Sequence, residues 1–239
     1  MEVAFSRERA LSVKNMLVVS DLHLGYEVEL LKSGISIPPV TEKMLERLLV
    51  SVTESGAGKV VFLGDLAHSI PKRSGFENAQ ITGFLDSVRK SAEVICVKGN
   101  HDPELEKLVP GVVPATGTVI SGIGFFHGHT WPSDEVAACR VAVIGHEHPA
   151  VEFRPGFGKN VTERCWLICS LKRKELKERY PEARLKKLVV VPAFNPLTGT
   201  RSVNSGNPGS PILRLADPEK SEVYLTDGTH LGNLSELLY

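Results

Sequence analysis

The sequence predicts an α/β (α+β) protein in which a two-layered sheet arrangement is flanked by helices. Three observations carry this expectation. The short apolar runs Met16–Val19, Val60–Leu63 and Val94–Val97 have the length and the Val/Leu/Ile content of strands buried on both faces. Segments with helical spacing separate these runs, and strand–helix alternation as far as Gly99 argues for a parallel core. Beyond Gly99 the connections shorten, so the later strands are expected to be antiparallel.

The elements follow in order. Val3 to Val13 alternates in the manner of a short hairpin at a sheet edge. Met16 to Ser20 makes the first buried strand. Thr41 is read as an N-cap behind Pro38-Pro39, with Glu42 favourable in the first turn. Met44, Leu45, Leu48, Leu49 and Val52 then recur at helical spacing as far as Glu54, and Gly56-Ala57-Gly58 ends the helix. Val60 to Leu63 is the second strand. Asn78 to Lys90 is the next helix, with Ile81, Phe84, Leu85 and Val88 on one face. Val94 to Val97 is the third strand, and Pro103 to Leu108 opens a short helix. Thr118–Ile120 and Ile123–Phe126 pair around Ser121-Gly122, and Val141 to Ile144 forms a fifth apolar run. From Pro149 the texture changes: a strand from Arg164 to Leu171, a basic helix from Lys172 to Tyr180, a strand at Leu188–Val191, and a Gly/Pro/Asn-rich loop from Phe194 to Pro211. No repeat or linker divides the 239 residues, so residues 1–239 are expected to form one domain, with the core motifs in 16–150 and the remainder completing the second sheet.

Composition excludes several classes. Lys+Arg and Asp+Glu are equal at 28 each, so a polyanion would have to be attracted by a local patch or a metal site. No run approaches the roughly 18 apolar residues of a membrane span. The first residues lack the basic-then-apolar pattern of a secretory signal, so a cytoplasmic location is expected. Cys96, Cys139, Cys165 and Cys169 contain no C-x-x-C pair and read as buried small hydrophobes in a reducing compartment.

The chemistry gathers where the strands end. Lys98-Gly99-Asn100-His101-Asp102-Pro103 follows the third strand, and the layout recurs four times: Asp21 and His23, Asp65, His127 and His129, His146 and His148. Ligands of open α/β sheets bind outside the carboxyl ends of the strands. Strand alternation would point Asp21 and His23 to one side, and His146 and His148 likewise, so each pair could chelate. A lone histidine after a strand is usually a hydrogen-bonded loop residue. Five strand ends delivering carboxylate, imidazole and amide together indicate a metal centre, and this hard oxygen and nitrogen donor set suits Mn, Fe or Zn.

These blocks, D-x-H (Asp21, His23), G-D (Gly64, Asp65), G-N-H-D (Gly99 to Asp102), H-G-H (His127 to His129) and G-H-x-H (Gly145 to His148), occur in the order seen in the calcineurin-like metallophosphoesterase superfamily, which the chain resembles over residues 16 to about 150. The H-G-H-x-x-P of His127 to Pro132, with Pro192-Ala193-Phe194, is similar to a narrower branch: archaeal phosphoesterases related to the SbcD nuclease and the DNA-ligase-associated phosphoesterases. The resemblance implies a four-layer αββα sandwich of two mixed β-sheets with two divalent metals, Mn before Fe or Zn, at the sheet edge. It implies that Asp21, His23 and His148 hold the first metal, that Asn100, His127 and His146 hold the second, and that Asp65 bridges both. His101 resembles the histidine that works beside the metals without ligating them. Two dications less Asp21, Asp65 and a bridging hydroxide leave a positive site that draws a phosphoester, with the hydroxide attacking phosphorus in line and His101 protonating the leaving alkoxide. His68 and His129 lie one step beyond the ligand positions and are read as substrate contacts or as hydrogen-bond partners of the ligands.

The substrate is expected to be a phosphodiester, nucleic acid or nucleotide. A small-molecule phosphomonoesterase and a non-catalytic binding scaffold are the alternatives, and oligomeric state is left open. The run Lys172 to Lys187 carries eight basic residues against Glu175, Glu178 and Glu182. It can neutralise nucleic-acid phosphates, but its charge pattern also suits a solvated helix face. The Asn195 to Pro211 loop, with Arg201, Asn204 and Asn207, could wall the site.

Overall fold

The computed structural model describes residues 3–68 and 74–239. Among them, five strands form the first sheet in the order β1 (Val3–Phe5), β2 (Leu11–Val13), β3 (Met16–Val19), β4 (Lys59–Leu63), β5 (Glu93–Val97). β1, β2 and β3 are antiparallel in succession, which bears out the edge hairpin, whereas β3, β4 and β5 are parallel. The second sheet contains β6 (Thr118–Ile120), β7 (Ile123–Phe125), β8 (Val141–Ile144), β9 (Pro149–Phe153), β10 (Val161–Leu171), β11 (Lys187–Val190), β12 (Arg201–Ser202), β13 (Ala216–Leu225) and β14 (His230–Asn233). Its central strands β7, β8 and β11 are parallel, while the β6–β7, β9–β10, β10–β11, β10–β13 and β13–β14 pairs are antiparallel. The later half is therefore mixed, not antiparallel throughout. A short connection decides the neighbour in a hairpin, but it does not forbid a strand from returning through the helix between β7 and β8 or the one before β11.

Residue parity along each strand builds the layers. Met16, Val18, Val61, Leu63 and Val97 face Ile123, Phe125, Val143, Trp166 and Val189 across a core between the sheets. Leu17, Val19, Val60, Phe62 and Cys96 turn outward to pack against Met44, Leu48 and Val52 of α2 (Val40–Ser55) and Ile81, Phe84, Leu85 and Val88 of α3 (Gly75–Arg89). Ala142, Ile144, Cys165, Leu167, Cys169 and Val190 face the opposite side, against Val136 and Ala137 of α4 (Asp134–Ala137), Leu176 of α5 (Arg173–Arg179) and Leu234 of α6 (Leu234–Leu237). The result is two mixed sheets flanked by helices, as the sequence predicts. The four cysteines are free; Cys96, Cys165 and Cys169 are buried as expected, whereas Cys139 is only half-buried.

Two helix starts differ from expectation. Thr41 is not the N-cap: α2 begins at Val40 with Pro39 as N-cap, and Glu27 Oε2 from α1 (Tyr26–Lys32) accepts the Val40 and Thr41 N–H groups at 3.1 and 3.2 Å. A tertiary carboxylate thus replaces the local cap. α3 begins three residues before Asn78, because Ser74 Oγ accepts the Glu77 N–H at 3.1 Å. Gly56 ends α2 in the left-handed conformation, φ 62°. The elements not foreseen, β9, β12, β13, β14, α1, α4 and α6, are short or of mixed polarity and lack a continuous apolar run.

Candidate metal centre

The five metal-type clusters meet at one rim. β3, β4, β5, β7 and β8 end there, and each carries its Asp/His/Asn residues on the turn just past its last residue. The turns depart from strand geometry. Asp21, His23, Asp65, His146 and His148 all have positive φ, at 57°, 44°, 49°, 66° and 44°. The pairs therefore converge through left-handed turns and not through the strand alternation expected from their spacing. Such conformations cost of order 1–3 kcal/mol each for non-glycine residues and persist where surrounding structure enforces them.

Two mixed Asp/His triads result, with a third group of imidazoles beside them. Ligand-type atoms of Asp21, His23 and His148 lie within 4.8 Å of one another, as do those of Asp65, His127 and His146, and those of His23, His68 and His101. His148 Nε2 is 3.3 Å from Asp21 Oδ1. Asp65 Oδ2 stands between the triads, 3.6 Å from His23 Nε2 and 3.4 Å from His127 Nε2. Asn100 Oδ1 approaches His127 Nε2 at 3.2 Å. Backbone carbonyls orient the rings: His127 Nδ1–H donates to Leu63 O (2.5 Å), His148 Nδ1–H to Gly199 O (2.9 Å) and His101 Nδ1–H to His68 O (2.8 Å). In the neutral ring each such bond fixes the proton on Nδ1 and leaves Nε2 as the lone-pair nitrogen available to a metal or substrate.

The electrostatics match a cation site. Burial opposes charge on both carboxylates, yet neighbouring histidines, chiefly His148 for Asp21 and His127 for Asp65, hold both below the usual carboxylate range. Burial pushes the His23 imidazole down to about 4 despite Asp65 and Asp21, and burial plus the His127 charge does the same to His146. Burial works against His127 too, but Asp65 and Asp21 raise it to about 9. His23 Nε2 is buried without a hydrogen-bond partner. A buried, neutral imidazole nitrogen facing a buried carboxylate is satisfied by a divalent cation, so the donor set fits the metals that the fold implies.

A cleft of about 410 Å³ opens over these groups, lined by His23, Asp65, Asn100, His101, His146 and His148 with Gly199, Thr200 and Arg201. Asp21 and His127 lie beneath it, both fully buried. The Asn195 to Pro211 loop does contribute a wall. His68 and His129 lie outside the cleft lining, at opposite ends. His68 places Nδ1 3.4 Å from His23 Nδ1 and Nε2 3.0 Å from Glu29. His129 packs its ring 5.2 Å from that of His127, and its buried Nδ1 has no hydrogen-bond partner.

Residues that sequence reasoning passed over support the rim. Asp102 does not orient His101. Its buried carboxylate accepts the Gly99, Ala67 and Leu66 N–H groups at 2.9, 3.0 and 3.3 Å, clamping the turn after β5 to the turn after β4. Glu147, buried between the two histidines of its motif, accepts from Gly209 N–H and Ser210 N–H and forms an ion pair with Arg201 (3.2 Å). A Cβ on Gly99 would collide with Asp65, and one on Gly145 with Ser20 and Asp21, so these motif glycines make room for carboxylates. His230 is remote from the rim, stacked on Tyr224.

The fold and this donor set define a metal-dependent phosphoesterase. The chain belongs to the calcineurin-like phosphoesterase family, whose sequence pattern matches residues 14–168. The structure is similar to that of the Pseudomonas putida nuclease MPE, with 20% identity, a TM-score of 0.62, and coverage of 96% of this chain and 94% of that one. It also resembles Yfce, a phosphoesterase from E. coli, at 25% identity over 59% of this chain and 74% of that chain, with a TM-score of 0.38. No match is found among curated protein sequences.

Proposed function

We propose that this protein is a dinuclear-metal phosphodiesterase acting on nucleic acid or nucleotides, of the branch that contains the SbcD-related and DNA-ligase-associated phosphoesterases. The observation that carries the reading is Asp65, whose one carboxylate oxygen stands between two three-residue donor sets at 3.6 and 3.4 Å. Asp21, His23 and His148 hold one divalent ion, and Asn100, His127 and His146 hold the other. Asp65 is shared, and manganese suits the oxygen and nitrogen donors. When bound, such a pair of cations supplies Lewis acidity to the phosphoryl oxygens and lowers the pKa of water.

The chain's own residues do the rest. His101 lines the cleft with Nδ1 committed to the His68 carbonyl, which leaves Nε2 to face the phosphate and, in the imidazolium form, to pass its proton to the leaving oxygen. His129, packed beside the His127 ring just outside the cleft lining, is the candidate substrate contact, its buried Nδ1 having no hydrogen-bond partner among the described residues. Both ring nitrogens of His68 already face protein groups, so its geometry favours support of His23. The nuclease with the same fold supports the diester preference as an analogy of architecture.

Paired assays of bis-p-nitrophenyl phosphate and p-nitrophenyl phosphate with added manganese test the reading. The diester is expected to turn over faster. A monoester preference would overturn the substrate class, and no turnover of either by a metal-loaded sample would favour a binding scaffold. Metal analysis by mass spectrometry gives an independent readout, since Asp65→Ala is expected to lower the bound-metal stoichiometry.

A further inference from the structure

A second basic site lies on the same molecular edge as the metal centre. β2 runs antiparallel to β3, with Leu11 opposite Val18, so the β1–β2 turn carrying Arg7 and Arg9 comes up at the end of β3. Arg47 from α2 and Arg164 from β10 complete a cleft of about 460 Å³, which Glu8, Glu163, Thr162 and Thr226 also line. Four guanidiniums thus face two carboxylates. Glu8 is committed to Arg47, which also stacks at 4.5 Å over Phe194. Arg164 donates to Pro196 O (3.1 Å) and Thr198 O (2.6 Å) and, among the described residues, forms no ion pair with a carboxylate. Among the described residues Arg9 forms no ion pair, and burial together with Arg47 and Arg164 lowers its pKa to about 10. Four guanidiniums crowded at a partly buried position with only Glu8 and Glu163 to balance them, Glu8 already paired with Arg47, form a site that an anion would stabilise.

Its position indicates which anion. Thr198, which accepts from Arg164, is followed directly by Gly199, Thr200 and Arg201, the wall of the metal cleft. The two clefts are therefore divided by one strap of chain, and Arg164 lies within the electrostatic reach of Asp21. We propose that the Arg7, Arg9, Arg47 and Arg164 cleft binds a backbone phosphate of a nucleic-acid strand whose cleaved phosphodiester occupies the metal centre. The assignment rests on the phosphodiester reading of that centre, and it explains how a chain with no net charge gains a local grip on a polyanion.

The test uses the manganese-loaded protein and a fluorescein-labelled phosphorothioate oligodeoxynucleotide, which resists cleavage, with anisotropy read across a salt series. Arg9 has φ 63°, so Arg9→Asn keeps a residue that tolerates the left-handed turn. This variant is expected to weaken binding about tenfold and to reduce the slope of log Kd against log salt by about 1. Arg9→Lys is expected to recover most of the affinity, and turnover of bis-p-nitrophenyl phosphate, which has no second phosphate, should match the parent in both variants. Unchanged oligonucleotide affinity and slope in Arg9→Asn would overturn the proposal, as would an equal loss of small-diester turnover, which would mark Arg9 as a support of the fold. Displacement of the oligonucleotide by equimolar inorganic phosphate would also overturn it, showing a site for free phosphate. Failure of the metal-centre reading looks different: no diester turnover by a metal-loaded protein that still binds the strand through Arg9.

Discussion

At the scale of single residues, the proposed function separates groups that would hold cations from groups that would handle the substrate. His101 is the sharpest case, because its backbone N–H donates to Asp65 Oδ1 at 2.8 Å while its ring is tied to the His68 carbonyl. Removing the ring leaves the Asp65 contact intact. His101→Ala is therefore expected to keep its bound metal while diester turnover falls about 100-fold or more. Loss of metal along with activity would show that the ring is a ligand. Protonation sets a second expectation. Burial, with the His127 charge adding to it at the latter two, holds His23, His129 and His146 at about 4 in the folded metal-free protein, against 6.5 for a histidine in the unfolded chain. Between those values the unfolded chain binds protons that the folded chain refuses, so stability falls as pH drops from about 6.5 to about 4. His127 acts in the opposite sense. Its folded value of about 9 means that its contribution is complete below about 6.5 and lost as pH rises through 9. Asp65, held low, contributes above its unfolded value of 3.8 and ceases to do so in strong acid. Chelator-treated protein is thus expected to be most stable near pH 6.5, a maximum that calorimetry between pH 4 and 9 would reveal.

At the scale of elements, the turn after β5 is the joint on which the centre depends. Asp102 accepts three backbone N–H groups there, and no water-exposed substitute is at hand because the carboxylate is fully buried. Asp102→Ala would orphan those donors and is expected to cost about 2–3 kcal/mol, measurable in urea denaturation. Metal affinity should fall with it, since Asn100 and Asp65 sit on the two turns that Asp102 joins. On the basic helix α5, Arg173, Lys174, Lys177 and Arg179 are exposed, Leu176 is buried, and Arg179 lies 4.4 Å over the Trp131 ring, an arrangement that a solvated face and a phosphate-neutralising face share. A denser group of guanidiniums lies at the β1–β2 turn, where Arg7 and Arg9 flank Glu8 and folding brings in Arg47 and Arg164.

At the scale of the whole molecule, the two sheets meet through one apolar core, and their parallel strands end on one edge. The proposed metal centre would draw its ligands from both sheets: Asp21, His23, Asp65 and Asn100 from the first, His127, His146 and His148 from the second. Filling it ties the sheets together. Each independently filled site is expected to add about 2.7 kcal/mol when free metal stands at 100 times its Kd. That raises Tm by about 5–10 °C per site in a chain of this size, which scanning calorimetry of manganese-loaded against EDTA-treated protein would register. No helix among the described residues is long and apolar enough to cross a membrane.

The sequence by itself determined the layered α/β architecture and the identity of the rim residues. Buried strands advertise themselves as apolar runs, and the donors follow those runs at short, fixed offsets. Only the tertiary structure decided how the donors meet. Left-handed turns at Asp21, His23, Asp65, His146 and His148 replace the strand alternation that spacing alone suggests, and a φ angle held by distant packing leaves no local signature. The same holds for Glu27 capping α2, for Asp102 bridging two turns, and for the arginines gathered from three separate elements. Each depends on contacts between residues far apart along the chain, and periodicity, which reports only near neighbours, is blind to them.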